Sequence, residues 1–478
     1  MLTGSDSRVS ARLALDNPWW DTGRVPSPIL ALPPRAFFER LFERVASSDP
    51  GHPLIVTGGR RVGKTTLLHH FAQGLIEAGI GPRRIVYVNL AAPAFAGVAV
   101  GDLAELAPDA DNPAASGPLY VLLDDCHVRP RWRETVASLG AGSPPAVTVA
   151  ASAVRDVAPT AAHDAVLPPL TFYEYVHAAE PDRPPVVDPD PAAIAALNGL
   201  FLDYLNEGAY PRPPGTPGSE RLRLLAADLA GAVFDSDLPQ RFGIADTAEL
   251  ARLFAVVAER TAGETGIEEL AAAAALAKNT VRRHLDFLEA AHLIVRLPRI
   301  EGNAAGFARA VTFKVHLSAP AFRAALFGRA ERDDPATEPL TETAVLGQWL
   351  HSPSLPRLRF ARWRVGAAER SVDLVCVDAG KGRPLWAVDV TWSNRAYADA
   401  DALAGLAALA PGVERPFPRR ITTRTLAGTR SAGTVECGFV PAALYAYGLV
   451  RDVVARRTGP PVPSASGSAA AEAATHSV

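Results

Sequence analysis

Residues 54–66, Leu-Ile-Val-Thr-Gly-Gly-Arg-Arg-Val-Gly-Lys-Thr-Thr, constrain this chain more than any other stretch. A short apolar, β-branched run opens the segment and a helix-forming run closes it, so its middle is a tight loop between a strand and a helix. Gly58 and Gly63 bracket Gly59, Arg60, Arg61 and Val62, and Lys64, Thr65 and Thr66 follow at once. That spacing lets successive backbone N–H groups curl around a di- or triphosphate while the next helix points its positive end at it. Glycine is needed because the loop visits backbone angles closed to other residues and because a Cβ would hold the anion away. Lys64 is expected on the β- and γ-phosphates, the Thr65 hydroxyl on Mg²⁺ and Thr66 near the α-phosphate, with ATP and Mg²⁺ as the ligands.

A second apolar run, residues 117–125, ends in Asp124 and Asp125. In proteins with such a loop this strand is expected beside the first, its terminal acid ordering the water shell of Mg²⁺, the role assigned to Asp124. Asp125 falls where a glutamate commonly positions the attacking water. It is one methylene shorter, about 1.5 Å, which predicts slow hydrolysis. Without the loop, the two acids would read as a solvated turn. Residues 146–152 form another apolar strand, and Ser152 at its end is either a γ-phosphate sensor or an ordinary strand-ending serine. Strands alternating with helices imply an α/β fold, a mostly parallel sheet covered on both faces, with the ligand at the carboxyl ends of the strands.

At 478 residues the chain is too long for one core, and its length suggests roughly three or four domains. Hydrophobic residues make up 48% and charged residues 21%, a folded rather than disordered composition. A formal net charge of -3 excludes a uniformly basic coat, so any nucleic-acid surface is a local patch. Cys126, Cys376 and Cys437 lie far apart without metal-ligand spacing, which suits a reducing compartment. No apolar run reaches the length of a membrane span or a signal peptide, so the chain is expected to be cytoplasmic, without a membrane partner.

Taken in order, residues 1–52 are expected to be a flexible leader up to Asn17, then the Asn17-Pro18-Trp19-Trp20 segment packed on the nucleotide domain, then a helix over 35–46. Residues 53–180 form the expected nucleotide-binding core and 181–243 a helical lid between proline-rich loops. Residues 244–302 contain a helix, a turn at Ala277, a second helix with Val281, Leu285 and Leu288 on one face, and a strand, the order of a winged helix-turn-helix. Lys278, Arg282, Arg283, Arg296 and Arg299 are its candidate DNA contacts, although a solvated helix face or a protein-docking wing would look the same. In residues 303–456, Glu342 lies on an expected helix, and Asp373 and Asp389 lie on two strands expected to form a hairpin. These carboxylates suit Mg²⁺ in phosphodiester cleavage, or are hydrogen-bonded edge residues. Residues 457–478, rich in Pro, Ser and Ala, are expected to be disordered.

On these motifs the chain, from about Asn17 to about Val450, resembles prokaryotic AAA+-type ATPases that carry an Asn-Pro-Trp-Trp segment, a P-loop core, a winged helix and a C-terminal restriction-endonuclease-like domain. The most specific stretches are residues 17–20, 58–66, 122–132, 167–175 and 204–211 and the Val372-Asp373 and Asp389-Val390 pairs. The resemblance implies ATP binding and hydrolysis, with nucleotide state acting on DNA or on a protein partner. Three departures qualify it. Asp125 replaces the usual glutamate. Residues 161–166 replace a Gly-Arg, so no arginine is identified that would complete the site. Thr391 stands where the nuclease pattern has lysine, which favours a degenerate nuclease domain over the alternative of an active Mg²⁺-dependent DNA nuclease, because losing such a charge stabiliser costs on the order of a hundredfold in rate. Nothing in the sequence sets the oligomeric state.

Overall fold

The computed structural model describes residues 4–47, 52–105, 118–140, 146–155, 164–180, 185–208, 216–300, 312–352, 354–365, 368–380, 382–399, 417–433 and 435–455, with a few single positions between them. The expected disordered tail, 457–478, lies outside the described residues. The chain divides into two compact units.

The first unit comprises Met1–Leu167, Asp235–Ala245 and Ala290–His292. Among its described residues, β1 (Leu54–Thr57), β2 (Ile85–Asn89), β3 (Leu119–Asp124), β4 (Ala146–Ser152) and β5 (Asp164–Val166) form a parallel sheet in the order β2-β3-β4-β1-β5. Every residue of β1, β3 and β4 is buried, as continuous apolar runs in a sheet covered on both faces must be. The acid-bearing strand is not the neighbour of β1 that the sequence suggested. β4 lies between them, with Val149 opposite both Leu54 and Leu122 and Ala150 opposite both Ile55 and Leu123. A strand buried along its whole length on both faces fits the centre of a sheet, not its edge.

The expected flexible leader is instead helix α1 (Gly4–Asp16). Val9 and Leu13, four residues apart and so on one face, are buried in a cluster with Val86, Val88 and Phe95. The next residues fasten this helix to the sheet. Asn17 is fully buried, its Nδ2 donating to Tyr87 O at 2.9 Å and its Oδ1 accepting from Tyr87 N at 2.6 Å. The indoles of Trp19 and Trp20 both donate to Ile85 O, at 3.0 and 2.9 Å. Helix α2 (Phe38–Ala46) crosses α3 (Lys64–Glu77) through the rings of Phe38, Phe42 and Phe71. Gly74 permits this crossing, since a Cβ there would come within 2.8 Å of the Phe42 ring. Helix α4 (Trp132–Leu139) packs beside β4.

The second unit comprises Pro168–Phe234, Asp246–Glu289 and Leu293–Val478. Its helix α5 (Phe172–Ala179) begins with a capping box, Thr171 N donating to Glu174 Oε2 at 2.9 Å and Glu174 N to Thr171 Oγ1 at 3.3 Å. Helix α6 (Pro191–Glu207) brings Phe201 and Tyr204 to within 5.0 and 5.3 Å of the Phe172 ring, and the Tyr204 hydroxyl donates to Leu170 O at 2.9 Å. These contacts account for the aromatic stretches at 167–175 and 204–211.

Helix α7 (Thr247–Glu259) leads to β6 (Glu264–Gly266), α8 (Ile267–Ala274), α9 (Lys278–Ala290), β7 (Ile294–Ile300) and β8 (Thr312–Leu317). Val281, Leu285 and Leu288 of α9 are buried, as their spacing predicts. Helix α10 (Thr337–Gly347) follows, then β9 (Leu358–Val365), β10 (Ala368–Val377), β11 (Pro384–Asp389), β12 (Arg419–Thr423), β13 (Gly428–Ala432), β14 (Val435–Pro441) and α11 (Ala442–Ala455). Strands β10 and β11 pair antiparallel, as expected of the hairpin. Among the described residues, β6 to β14 form one sheet in the order β13-β14-β12-β11-β10-β9-β7-β8-β6. The parallel pairs Arg299↔Phe360 and Ile300↔Ala361 join β7 to β9, so strands on either side of the boundary expected near residue 302 share a single ladder.

Asn17 satisfies two buried backbone groups of Tyr87, and both lose their partner in Asn17→Ala. That variant is expected to lower unfolding stability by about 2–4 kcal/mol, read as a lower urea midpoint with an unchanged slope. A loss under about 0.5 kcal/mol would show that the amide is not what holds the segment to β2.

Candidate nucleotide-binding site

The loop between β1 and α3 owes its shape to close approaches and to left-handed backbone. A Cβ on residue 58 would lie 2.3 Å from Leu167 O, so only glycine fits there. Arg61 and Gly63 take φ of 67° and 97°. Gly58 N donates to Ser152 O at 3.2 Å, tying the loop's entry to the end of β4, and Arg35 Nη1 donates to Val62 O at 2.5 Å on its far side. A Cβ on Gly59 would sit 3.8 Å from Ala291 O and from His292 Cβ, so the 290–292 turn lies against the loop. Arg155 N holds that turn through Ala290 O at 2.9 Å.

Lys64 opens α3 with its ammonium buried, Nζ donating to Gly58 O and Gly59 O at 2.9 Å each. Burial pulls its pKa down, and the charges of Asp124 and Asp125 oppose that pull. Thr65 Oγ1 donates to Asp124 Oδ2 at 2.5 Å, and Tyr87 OH approaches the same oxygen at 3.1 Å. Asp124 Oδ1 accepts from Asp125 N at 2.9 Å. A hydroxyl and a carboxylate side by side at the start of a helix are hard oxygen donors of the kind Mg²⁺ takes, and Thr65 and Asp124 are the residues that would hold it. Bound there, Mg²⁺ would neutralise charge on a nucleotide's phosphates.

Asp125 adopts a left-handed backbone, φ 51°, and burial, then the Asp124 charge, push its carboxyl above the usual range. His127 is buried behind it, Nδ1 lying 3.9 Å from Asp125 Oδ1 and accepting from Ala153 N at 3.3 Å. That acceptance leaves Nε2 as the protonated nitrogen, and it faces Asp237 Oδ1 at 3.8 Å. Asp237 in turn receives both arms of Arg60, Nε at 2.6 Å and Nη2 at 2.5 Å. Burial raises the Asp237 pKa, but the bonds and charges of Arg60 and His127 outweigh it and hold the carboxyl at about 2. The Arg60–Asp237 ion pair thus lies beside the loop, and the His127 imidazole sits between Asp237 and Asp125. The sequence reading missed Asp237, His127, Tyr87 and Arg35. His127 lies inside the 122–132 stretch, whereas Asp237 belongs to no local motif and is recognised only by where the fold delivers it.

Several expected site residues have their polar groups engaged within the fold. Ser152 is fully buried, its Oγ donating to Val154 O at 2.6 Å and accepting from Val154 N at 3.3 Å. It closes a turn at the end of β4 and has no hydroxyl hydrogen left for a phosphate. Arg296 is held by Asp286 and Glu289 at 2.7 and 2.5 Å, and Arg299 by Glu264 at 3.4 Å and Arg362 O at 3.0 Å. These two are neutralised within the fold, and they leave the expected DNA set. Lys278, Arg282 and Arg283 are exposed on α9, with Lys278 in a surface pair with Glu268 and Arg282 donating to Asn279. Such an exposed pair is worth little and opens readily.

The expected metal set does not stand free. Lys314 Nζ lies between Glu342 Oε1 at 2.8 Å and Asp373 Oδ1 at 2.7 Å, while Asp373 Oδ2 accepts from Val390 N at 2.8 Å. Among the described residues no group of three His, Cys, Asp or Glu is placed to hold a metal ion. Glu342 and Asp373 therefore do not fit Mg²⁺ as arranged, because an ammonium already holds one oxygen of each between them. Thr391 serves the backbone: its N–H donates to Thr422 Oγ1 at 2.7 Å and its Oγ1 accepts from Ser393 N at 2.9 Å.

Residues 51–176 match a family described as an AAA domain, and residues 198–333 match a domain of unknown function, DUF8612. No curated protein matches the chain. Among solved structures, it is similar to C. elegans PCH-2 at 11% identity and a TM-score of 0.25, covering 41% of this chain and 60% of that one. The chain thus spans less than two thirds of that protein. Two variants of Thermotoga maritima RuvB align at 16% identity with TM-scores of 0.26 and 0.24, covering 55% and 54% of this chain and 87% and 88% of theirs. Residues 51–176 thus match an AAA domain, and among the described residues of this stretch a P-loop sits on a parallel five-stranded sheet.

Proposed function

We propose that this chain binds and slowly hydrolyses ATP, and that its nucleotide state controls a DNA-associated winged helix and a degenerate nuclease-like domain. The contact of Thr65 with Asp124 beside the Lys64 ammonium carries the reading, since it joins a cation, a hydroxyl and a carboxylate at the mouth of one phosphate-sized loop. Lys64 exchanges the carbonyls of Gly58 and Gly59 for phosphate oxygens, and Asp125 orients the water that attacks the γ-phosphate. Its short side chain slows that step. A second reading, a switch that turns over rarely and docks a protein partner, is favoured by the same Asp125 and by the internal pairing of Arg296 and Arg299. ATPase rates with and without duplex DNA separate the two, because stimulation by DNA belongs only to the first.

Lys64→Ala is expected to abolish measurable ATP binding by calorimetry and to lower kcat by about 10²-fold or more; unchanged affinity and rate would end the proposal. Binding to duplex DNA is expected to weaken as salt rises, and combining Lys278→Ala, Arg282→Ala and Arg283→Ala should flatten the log-log salt slope by about 2–3. A salt-independent affinity would favour the protein-partner reading.

A further inference from the structure

Where the sequence pattern of a nuclease has its lysine, this chain has Thr391, yet a lysine reaches the same carboxylates from another strand. Lys314 sits in the middle of β8, its Cα opposite Leu297 of β7 on one side and Glu264 of β6 on the other. Two ladders fix its register, so its side chain is delivered to one place. There it is 8% exposed, with Nζ 2.8 Å from Glu342 on α10, 2.7 Å from Asp373 on β10, and 5.8 Å from the Phe360 ring centroid.

We propose that Lys314 is a resident cation: its ammonium takes the position of a divalent metal between Glu342 and Asp373, and by doing so fastens β8 to α10 and β10. The inference rests on the nuclease-like reading of β10 and β11 and is independent of the nucleotide site.

Three observations support it. Each oxygen of Asp373 already accepts a hydrogen bond, one from Lys314 and the other from Val390 N, so a metal between Glu342 and Asp373 would compete with the ammonium. That ammonium is tethered to a strand and cannot diffuse away, which makes it a strong competitor for the same oxygens. The surroundings are closed as well: Lys314 is 8% and Glu342 7% exposed, and the fully buried His316 lies 3.4 Å from Glu342 Oε1.

The experiment titrates Mn²⁺ into the full chain without nucleotide, reading bound metal by electron paramagnetic resonance. Wild type and Asp373→Asn are expected to give the same titration. Lys314→Met is expected to gain one Mn²⁺ per chain, lost again in Lys314→Met/Asp373→Asn. A wild-type Mn²⁺ site that disappears in Asp373→Asn overturns the proposal, as does a folded Lys314→Met chain that gains none. Divalent-dependent nicking of supercoiled plasmid by wild type, abolished by Lys314→Met, also overturns it, because Lys314 would then assist a metal instead of replacing one. If Lys314→Met shows no cooperative melt, the wild-type and Asp373→Asn titrations decide alone. Loss of the nucleotide reading would show as unchanged ATP binding in Lys64→Ala and would leave these Mn²⁺ titrations untouched.

Discussion

The 2.5 Å bond from the Thr65 hydroxyl to Asp124 is the contact on which the first unit turns. It spans two strands that are not neighbours, reaching from the helix after β1 across β4 to the end of β3. Between those strands every residue of β4 is small or β-branched and buried. Asp124 is then shared among Thr65, Tyr87 and the backbone of Asp125, and its geometry is fixed by three donors from three segments. Organisation of this kind lets a phosphate site exist before any phosphate arrives.

Beyond that contact, charges are arranged so that the loop is read from outside. Arg60 points away from the phosphate-facing side and grips Asp237, and His127 sits between Asp237 and Asp125. The 290–292 turn, joining α9 to β7, rests on Gly59. Asp237 and the 290–292 turn, both distant in sequence, thus meet the same loop.

How much of this was legible in the sequence followed from distance along the chain. The loop, the acid pair, the stripe of α9 and the β10–β11 hairpin are local patterns, and each was readable from spacing alone. Helix α1 was hidden because two apolar residues, Val9 and Leu13, suffice to bury one face of a short helix, and among polar neighbours they read as a leader. The fates of Ser152, Arg296 and Arg299 depended on partners that periodicity does not disclose. Lys314 was invisible for a related reason: the motif places its lysine two residues after the acid, whereas here the sheet brings one from some 75 residues before Asp389, a separation read directly from the numbering. Local order encodes the elements, and only tertiary pairing decides which charges meet.

The Asn17 amide carries a consequence of its own. Strand β2 lies at the rim of its sheet, and a rim strand offers unused donors and acceptors to any other extended chain. Asn17 imitates a peptide unit, occupying the N–H and the C=O of Tyr87 together, and the two indoles claim the carbonyl of Ile85. The segment behaves as a side-chain selvedge that finishes the sheet without adding a strand, and it occupies the Tyr87 and Ile85 groups on which another extended chain would pair.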